Sequence, residues 1–199
     1  MSFFKILFLM IASGVAGFAG WMLFYLGAFK PVQISESTRG PFVLVYKNHL
    51  GPYHKIVSSI EEVENFAKAQ GLDCNLTFGE YLDNPKTGEE DRLRSRGGCL
   101  FDPSSSQAQT HAEFITSTET SVKKIPWPKD FIVETRPANN YVQAQFDGSP
   151  GIGPMKVYPK VADYFREHHL EQKPAVIEIY QIHSREEKNA MTTTYLFAK

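Results

Sequence analysis

Pro174-Ala175-Val176-Ile177-Glu178-Ile179-Tyr180-Gln181-Ile182-His183 reads as a buried strand with a carboxylate in its middle. Side chains alternate across a strand, so Ile177 and Ile179 share one face while Glu178, Tyr180 and Ile182 share the other. The first face suits packing against helices. The second sets a carboxylate beside a phenol and an aliphatic side chain, as the wall of a pocket for an organic cation would. The plainer alternative is an exposed sheet face, where a glutamate is unremarkable. The sequence around this strand decides between them.

The chain has 199 residues, enough for one domain of ordinary size and a small additional piece. Lys and Arg number 21 against 22 Asp and Glu, so no basic surplus argues for nucleic acid. A hydrophobic content of 42% permits a packed core. Only two cysteines occur, Cys74 and Cys99, which excludes a disulfide-built scaffold. They fall on adjacent predicted strands, and whether they pair depends on an oxidising compartment.

From Ile6 to Phe29 no residue is charged, and Lys5 and Lys30 bracket the run. At 1.5 Å per residue it spans roughly 36 Å, enough to cross a bilayer. Trp21 and Tyr25 fall where an interfacial aromatic belt belongs. A cleaved signal peptide competes, but the run is long and Tyr25-Leu26-Gly27-Ala28-Phe29 is a poor cleavage site. Residues 1–30 therefore read as a single-pass anchor contacting lipid through residues 6–29. The flanking charges do not fix its orientation. Gly14, Gly17 and Gly20 form a small-residue face that could pair two such helices into a homodimer.

Residues 31–41 read as a polar linker, and residues 42–199 as the folded domain. Phe42–Leu50 is a strand. Ile56, Val57, Ile60, Val63, Phe66 and Ala67 recur at helical spacing up to Gly71. Strands follow at Cys74–Leu82 and from Gly97 to Phe101. Residues 102–130 form a Ser/Gln/Thr-rich excursion with one β-prone centre at Phe114-Ile115, closed by Pro126-Trp127-Pro128. Trp127 either caps a pocket or covers the core. Strands at Phe131–Thr135 and Tyr141–Phe146 come next. The helix after them carries Val161, Ala162, Tyr164, Phe165 and His168 on or near one face, and Pro159 either starts or kinks it. The Glu178 strand, a charged turn at 185–188 and a last strand at Met191–Phe197 complete the chain.

The order strand, turn, helix, strand, strand thus occurs twice, which predicts an α+β fold of two like modules. Superimposed, Gly79 falls on Glu178 and Tyr81 on Tyr180. With the helices on one face, the opposite faces would meet in a shared cleft holding Glu178 between Tyr81 and Tyr180, a common setting for a small-molecule site.

Three stretches resemble the GyrI-like (gyrase-inhibitor-like) small-molecule-binding domain family. They are Val45-Tyr46-Lys47-Asn48-His49-Leu50-Gly51-Pro52-Tyr53, Phe78-Gly79-Glu80-Tyr81-Leu82-Asp83-Asn84-Pro85 and Ile177-Glu178-Ile179-Tyr180. The resemblance covers about residues 42–198 and implies a twofold repeated α+β fold with a central cleft and a ligand-binding glutamate at Glu178. Val157-Tyr158-Pro159 and Asp163-Tyr164-Phe165-Arg166-Glu167 are similar to the second helix of a membrane-anchored subtype, the testis-expressed ER-phagy receptor of animals. Relatives bind hydrophobic cations, inhibit gyrase or hydrolyse reactive small molecules. The chain departs from the receptor by ending at Lys199, without the tail that carries its autophagy-binding motif. The short chain points to a bacterial inner membrane; an endoplasmic reticulum membrane also fits.

A buried carboxylate needs a cation, a donor or a proton. The ligand-binding set is therefore Glu178, Tyr180, Tyr81, Gly79 and Trp127, with the aromatic faces worth up to about 2 kcal/mol each to a desolvated cation. The same glutamate with a raised pKa could serve a hydrolase as general acid or base. Its second catalytic group is not evident, His49 and His183 being the nearest options. His168-His169 and Cys74/Cys99 lack metal-site spacing, and no metal or cofactor is expected. Asn75-Leu76-Thr77 fits a glycosylation sequon but falls inside a predicted strand. The first reading is a membrane-anchored domain binding a small hydrophobic cation; a protein-interaction module at the membrane and a hydrolase are the alternatives.

Overall fold

The strand around Glu178 lies at the middle of an eight-stranded antiparallel sheet. The computed structural model describes residues 3–102, 125–182 and 191–199; Phe114-Ile115, His183 and the 185–188 turn lie outside them. An apolar helix, α1 (Phe3–Tyr25), comes first and buries none of its residues. The sheet strands are β1 (Val32–Arg39), β2 (Phe42–Leu50), β3 (Leu76–Tyr81), β4 (Arg94–Phe101), β5 (Ile132–Arg136), β6 (Asn139–Asp147), β7 (Val176–Ile182) and β8 (Met191–Ala198). Helix α2 (Ile56–Ala69) follows β2, and α3 (Gly153–Glu167) follows β6. The spatial order β1-β6-β8-β7-β3-β4-β2-β5 brings the two modules together along β3 and β7.

The repeat extends to the helix ends. After α2 the Leu72 amide donates to the Ala67 carbonyl (3.0 Å) and the Gly71 amide to Lys68 (3.0 Å), with Gly71 at φ +80. After α3 the Leu170 amide donates to Phe165 (2.9 Å) and the His169 amide to Arg166 (3.3 Å), with His169 at φ 53. Both are the left-handed cap that satisfies the last carbonyls of a helix. Glycine adopts it without cost; the histidine does so with strain.

Residues 31–41, expected to be a linker, are where the structure differs most from the sequence reading. Val32–Arg39 form β1, paired with β6 from Val32↔Phe146 to Arg39↔Asn139. The short connection Gly40-Pro41 then carries the chain to β2, at the far end of the sheet. Pro137-Ala138 makes the reciprocal step from β5 to β6. The two connections touch: a Cβ on Gly40 (φ +97) would lie 3.2 Å from Ala138 Cα. The sheet is therefore curled, its ends drawn towards each other.

The curl explains the core. Phe42, Leu44, Tyr46, Phe78, Leu100, Tyr141, Ile177, Ile179 and Leu196 are all 5% exposed or less and come from strands alone, filling the inside of the curl. A fully buried side chain of this size contributes roughly 1.5–3 kcal/mol. One end is closed by Glu80, which accepts from Arg136 (2.8 and 3.2 Å) and Arg96 (3.3 Å). On the other sheet face, Val63 and Ala67 of α2 pack on Val43, Val45 and Phe101, and Val157, Val161 and Phe165 of α3 pack on Val142, Phe146 and Phe197.

Three local expectations resolve. Pro159 is inside α3, which starts at Gly153 with Pro154 in its first turn. Cys74 and Cys99 form a disulfide that ties the approach to β3 onto β4. Asn75 is exposed just ahead of β3, not within the strand.

Candidate functional site

Strand register places Gly97 (β4), Gly79 (β3), Glu178 (β7), Tyr195 (β8) and Ala144 (β6) in one row across the sheet. This row belongs to the face that carries the helices. Ile60 and Ile56 of α2 come within 2.7 and 2.9 Å of a Cβ built on Gly97. Tyr158 of α3 reaches Glu178. The sequence reading had assigned Ile177 and Ile179 to the helices and Glu178 to the opposite face. The assignment is reversed because the curled sheet buries its inner face without helices, which frees the outer face to hold a polar cluster between α2 and α3.

Glu178 is 5% exposed. Its Oε1 accepts from the Tyr158 hydroxyl (2.9 Å) and its Oε2 from the Tyr180 hydroxyl (3.0 Å). Tyr81 and Tyr180 share a hydroxyl–hydroxyl bond of 2.9 Å. Tyr180 donates to the carboxylate, so Tyr81 is the donor to Tyr180. The Tyr81 ring meets Tyr53 edge-on at 4.8 Å, and Tyr53 is fixed by the Asp83 backbone, donating to its carbonyl (2.7 Å) and accepting from its amide (3.0 Å). The Ser95, Thr193 and Tyr195 hydroxyls are buried without a hydrogen bond of ordinary geometry among the described residues.

Charge decides what this cluster can do. Among the described residues no Lys, Arg or His pairs with Glu178. Burial pushes its carboxyl up to about 7 from the ordinary 4.5, and the bonds from Tyr158 and Tyr180 restrain the rise. Burial, and then the neighbouring carboxylate, raise Tyr81, Tyr158 and Tyr195 well above the usual phenol range. The site is one carboxyl within a ring of phenols, without a counter-cation among the described residues.

Space at the site is taken by Tyr81. Its hydroxyl lies 3.0 Å from where a Cβ on Gly79 would stand, so the bare α-carbon is the seat of the Tyr81 ring. A hollow of about 290 Å³ lies elsewhere, in the β3–β4 loop beside Asn84, Glu89 and Arg92. It is lined by loop residues with no buried carboxylate, so the Glu178 cluster is the chemically distinctive place.

Of the residues singled out from sequence, Glu178, Tyr180 and Tyr81 come together, and Gly79 stands opposite Glu178. Trp127 does not join them. Its ring packs on Phe66 (5.4 Å) and Phe131 (6.3 Å) in the core under α2. His49 bonds the Pro52 carbonyl at 3.2 Å, at the end of β2. Tyr158 and Tyr195 were missed. Tyr158 follows Val157, the first of the inward positions Val157, Val161 and Phe165, which was the available signal for a residue at the helix–sheet boundary. Tyr195 shares a face of β8 with Thr193 and Phe197, opposite Thr194 and Leu196.

A duplicated α+β module with a carboxylate beside its pseudo-twofold axis has the layout of a small-molecule-binding domain. The chain belongs to that class specifically as a GyrI-like small molecule binding domain, whose family model matches residues 33–198. Solved structures agree on the fold. The EcmrR chain of an EcmrR–DNA complex aligns over 98% of this chain and 69% of its own, with a TM-score of 0.58 and 10% identity. The EcmrR C-terminal domain aligns over 84% of this chain and 96% of its own (TM-score 0.55, 12% identity). An uncharacterized conserved protein from Listeria innocua aligns over 84% and 91% (TM-score 0.54, 12% identity). A search of curated proteins found no match.

Proposed function

We propose that this chain is a membrane-anchored domain that binds a small, hydrophobic, cationic molecule at Glu178. The observation that carries the reading is the buried carboxylate lacking a counter-cation among the described residues. A ligand cation would supply the missing charge, and its apolar body would take the place of the Tyr81 ring over Gly79. Tyr158 and Tyr180 would hold the carboxylate in position. Family membership supports small-molecule binding. The anchor reading is supported by α1, 23 residues long, apolar enough to cross a bilayer and with no buried side chain. The Cys74–Cys99 disulfide supports a domain on the oxidising side of that membrane, as outside a bacterial inner membrane.

The test is a thermal-shift series on the full chain in nanodiscs, using lipophilic quaternary ammonium cations against uncharged isosteres. Cation-selective stabilisation that disappears in Glu178→Gln is the expected result. Equal shifts for charged and neutral compounds would overturn the cation reading. A carboxyl near 7 also suits general acid–base chemistry. Turnover lost in Glu178→Gln would mark a hydrolase.

A further inference from the structure

The end of α1 is fastened to the domain. The Leu26 carbonyl accepts from the Ser149 amide at 3.0 Å. Gly27 (φ +81) lies so close to Gly148 that a Cβ on it would stand 3.2 Å from the Gly148 Cα. Lys156, in the first turn of α3, donates to the carbonyls of Ala28 (2.6 Å) and Lys30. Trp21 and Tyr25 stack at 5.4 Å in the last turn of α1, the position of an aromatic belt at the headgroup level. The fastening is made by residues 26–30 themselves, which follow that level directly. Two large apolar side chains stand exposed there: Phe29 at 74% and Met155, next to Lys156, at 70%.

The geometry points to this junction as a membrane-seated surface. Phe29 and Met155 enter the headgroup–acyl boundary beside α1, and the domain rests on the bilayer through the first turn of α3. The inference rests on the anchored reading above. The occupant is the bilayer because α1 runs into it and no flexible tether intervenes. An exposed methionine and phenylalanine gain by leaving water there, and Lys30 and Lys160 stand exposed within reach of anionic headgroups. Tyr158 lies on the same helix, one turn beyond Met155. The Glu178 site is thereby brought near the lipid boundary, where a cationic amphiphile concentrates.

The experiment uses the full chain in vesicles of phosphatidylcholine and phosphatidylglycerol. An environment-sensitive nitrobenzoxadiazole label is placed on Met155→Cys, and in a separate protein on Val57→Cys of α2, a residue 53% exposed. The native cysteines are engaged in their disulfide. The label at 155 should emit to the blue and lose at least half its intensity to doxyl lipids, while the label at 57 stays water-like. Ser149→Pro removes the amide that holds Leu26, and should return the label at 155 to water-like emission with the domain still folded by its melting curve. Water-like emission at 155 with α1 resisting alkaline extraction would overturn the surface and leave the anchor standing. Alkaline release of the whole chain would overturn both.

Discussion

Gly79 lies directly opposite Glu178 across the β3–β7 junction, and the two are equivalent positions of the repeated module. One module supplies the carboxylate and the other supplies no side chain at all. The empty half accepts the Tyr81 ring, whose hydroxyl reaches Tyr180, its own equivalent 99 residues away. An asymmetric site has been made from a symmetric scaffold by one glycine.

Glu178 should make stability fall with pH. Its folded pKa of about 7 exceeds the ordinary 4.5, so its contribution is complete below 4.5 and is lost as pH rises through 7. At 1.36 kcal/mol per unit the loss is about 3 kcal/mol. Denaturant unfolding of Glu178→Gln should therefore gain about that much on the native protein between pH 4.5 and 8. Parallel curves would contradict a buried, ionisable carboxyl.

Cation binding should show the reverse slope. Below pH 7 an incoming cation must displace the Glu178 proton, weakening affinity about tenfold per unit of falling pH. Above pH 8 affinity should be flat. Titration of one quaternary ammonium ligand from pH 5 to 9 reads this directly.

Tyr158→Phe removes the donor to Oε1. Hydrogen bonds to charged groups contribute about 1.5–3 kcal/mol, and neutral ones about 1. The variant should therefore be destabilised more at pH 8 than at pH 5. A loss independent of pH would assign Tyr158 a packing role only.

Two glycines should respond differently to alanine. At Gly79 the new Cβ meets the far end of the Tyr81 side chain at 3.0 Å, which can swing away. At Gly98 it meets the backbone carbonyl of Val45 at 2.1 Å, which cannot. Gly79→Ala should cost under about 1.5 kcal/mol and release the Tyr81–Tyr180 bond; Gly98→Ala should cost more than about 3. Unfolding curves and the tyrosine hydroxyl resonances report both.

Reducing the Cys74–Cys99 bond opens a loop with a sequence separation of 25. Loop entropy of that size corresponds to about 3.5 kcal/mol. Cys74→Ser should lower the unfolding midpoint accordingly, and alkylation of the native protein should require prior reduction.

Most elements were legible because their patterns are local. Phe42–Leu50 and Val176–Ile182 announce themselves by β-forming residues, and Ile56, Ile60, Val63 and Ala67 by helical spacing. β1 was not legible. Val32-Gln33-Ile34-Ser35-Glu36-Ser37-Thr38-Arg39 carries two apolar residues, and it is a strand only because β6, more than a hundred residues later, offers it an edge. Alternation correctly separated the faces of β7 but not which one receives the helices, since both faces are buried and only the curl of the sheet tells them apart. Three residues of the candidate cluster were visible as a carboxylate and two phenols at matching places in the repeat. Tyr158 comes from a helix whose rotation is set by packing, and Trp127 was misplaced because two prolines fix a ring's stiffness but not its destination.

The outer strands are exchanged: β1 precedes the first module but borders the second, and β5 precedes the second but borders the first. Neither half can be cut out whole. Removing residues 32–39 would strip the edge from β6, in the half of the chain that the deletion leaves untouched. The twofold repeat is in this way a mutual dependence, and the two halves should unfold as a single cooperative unit.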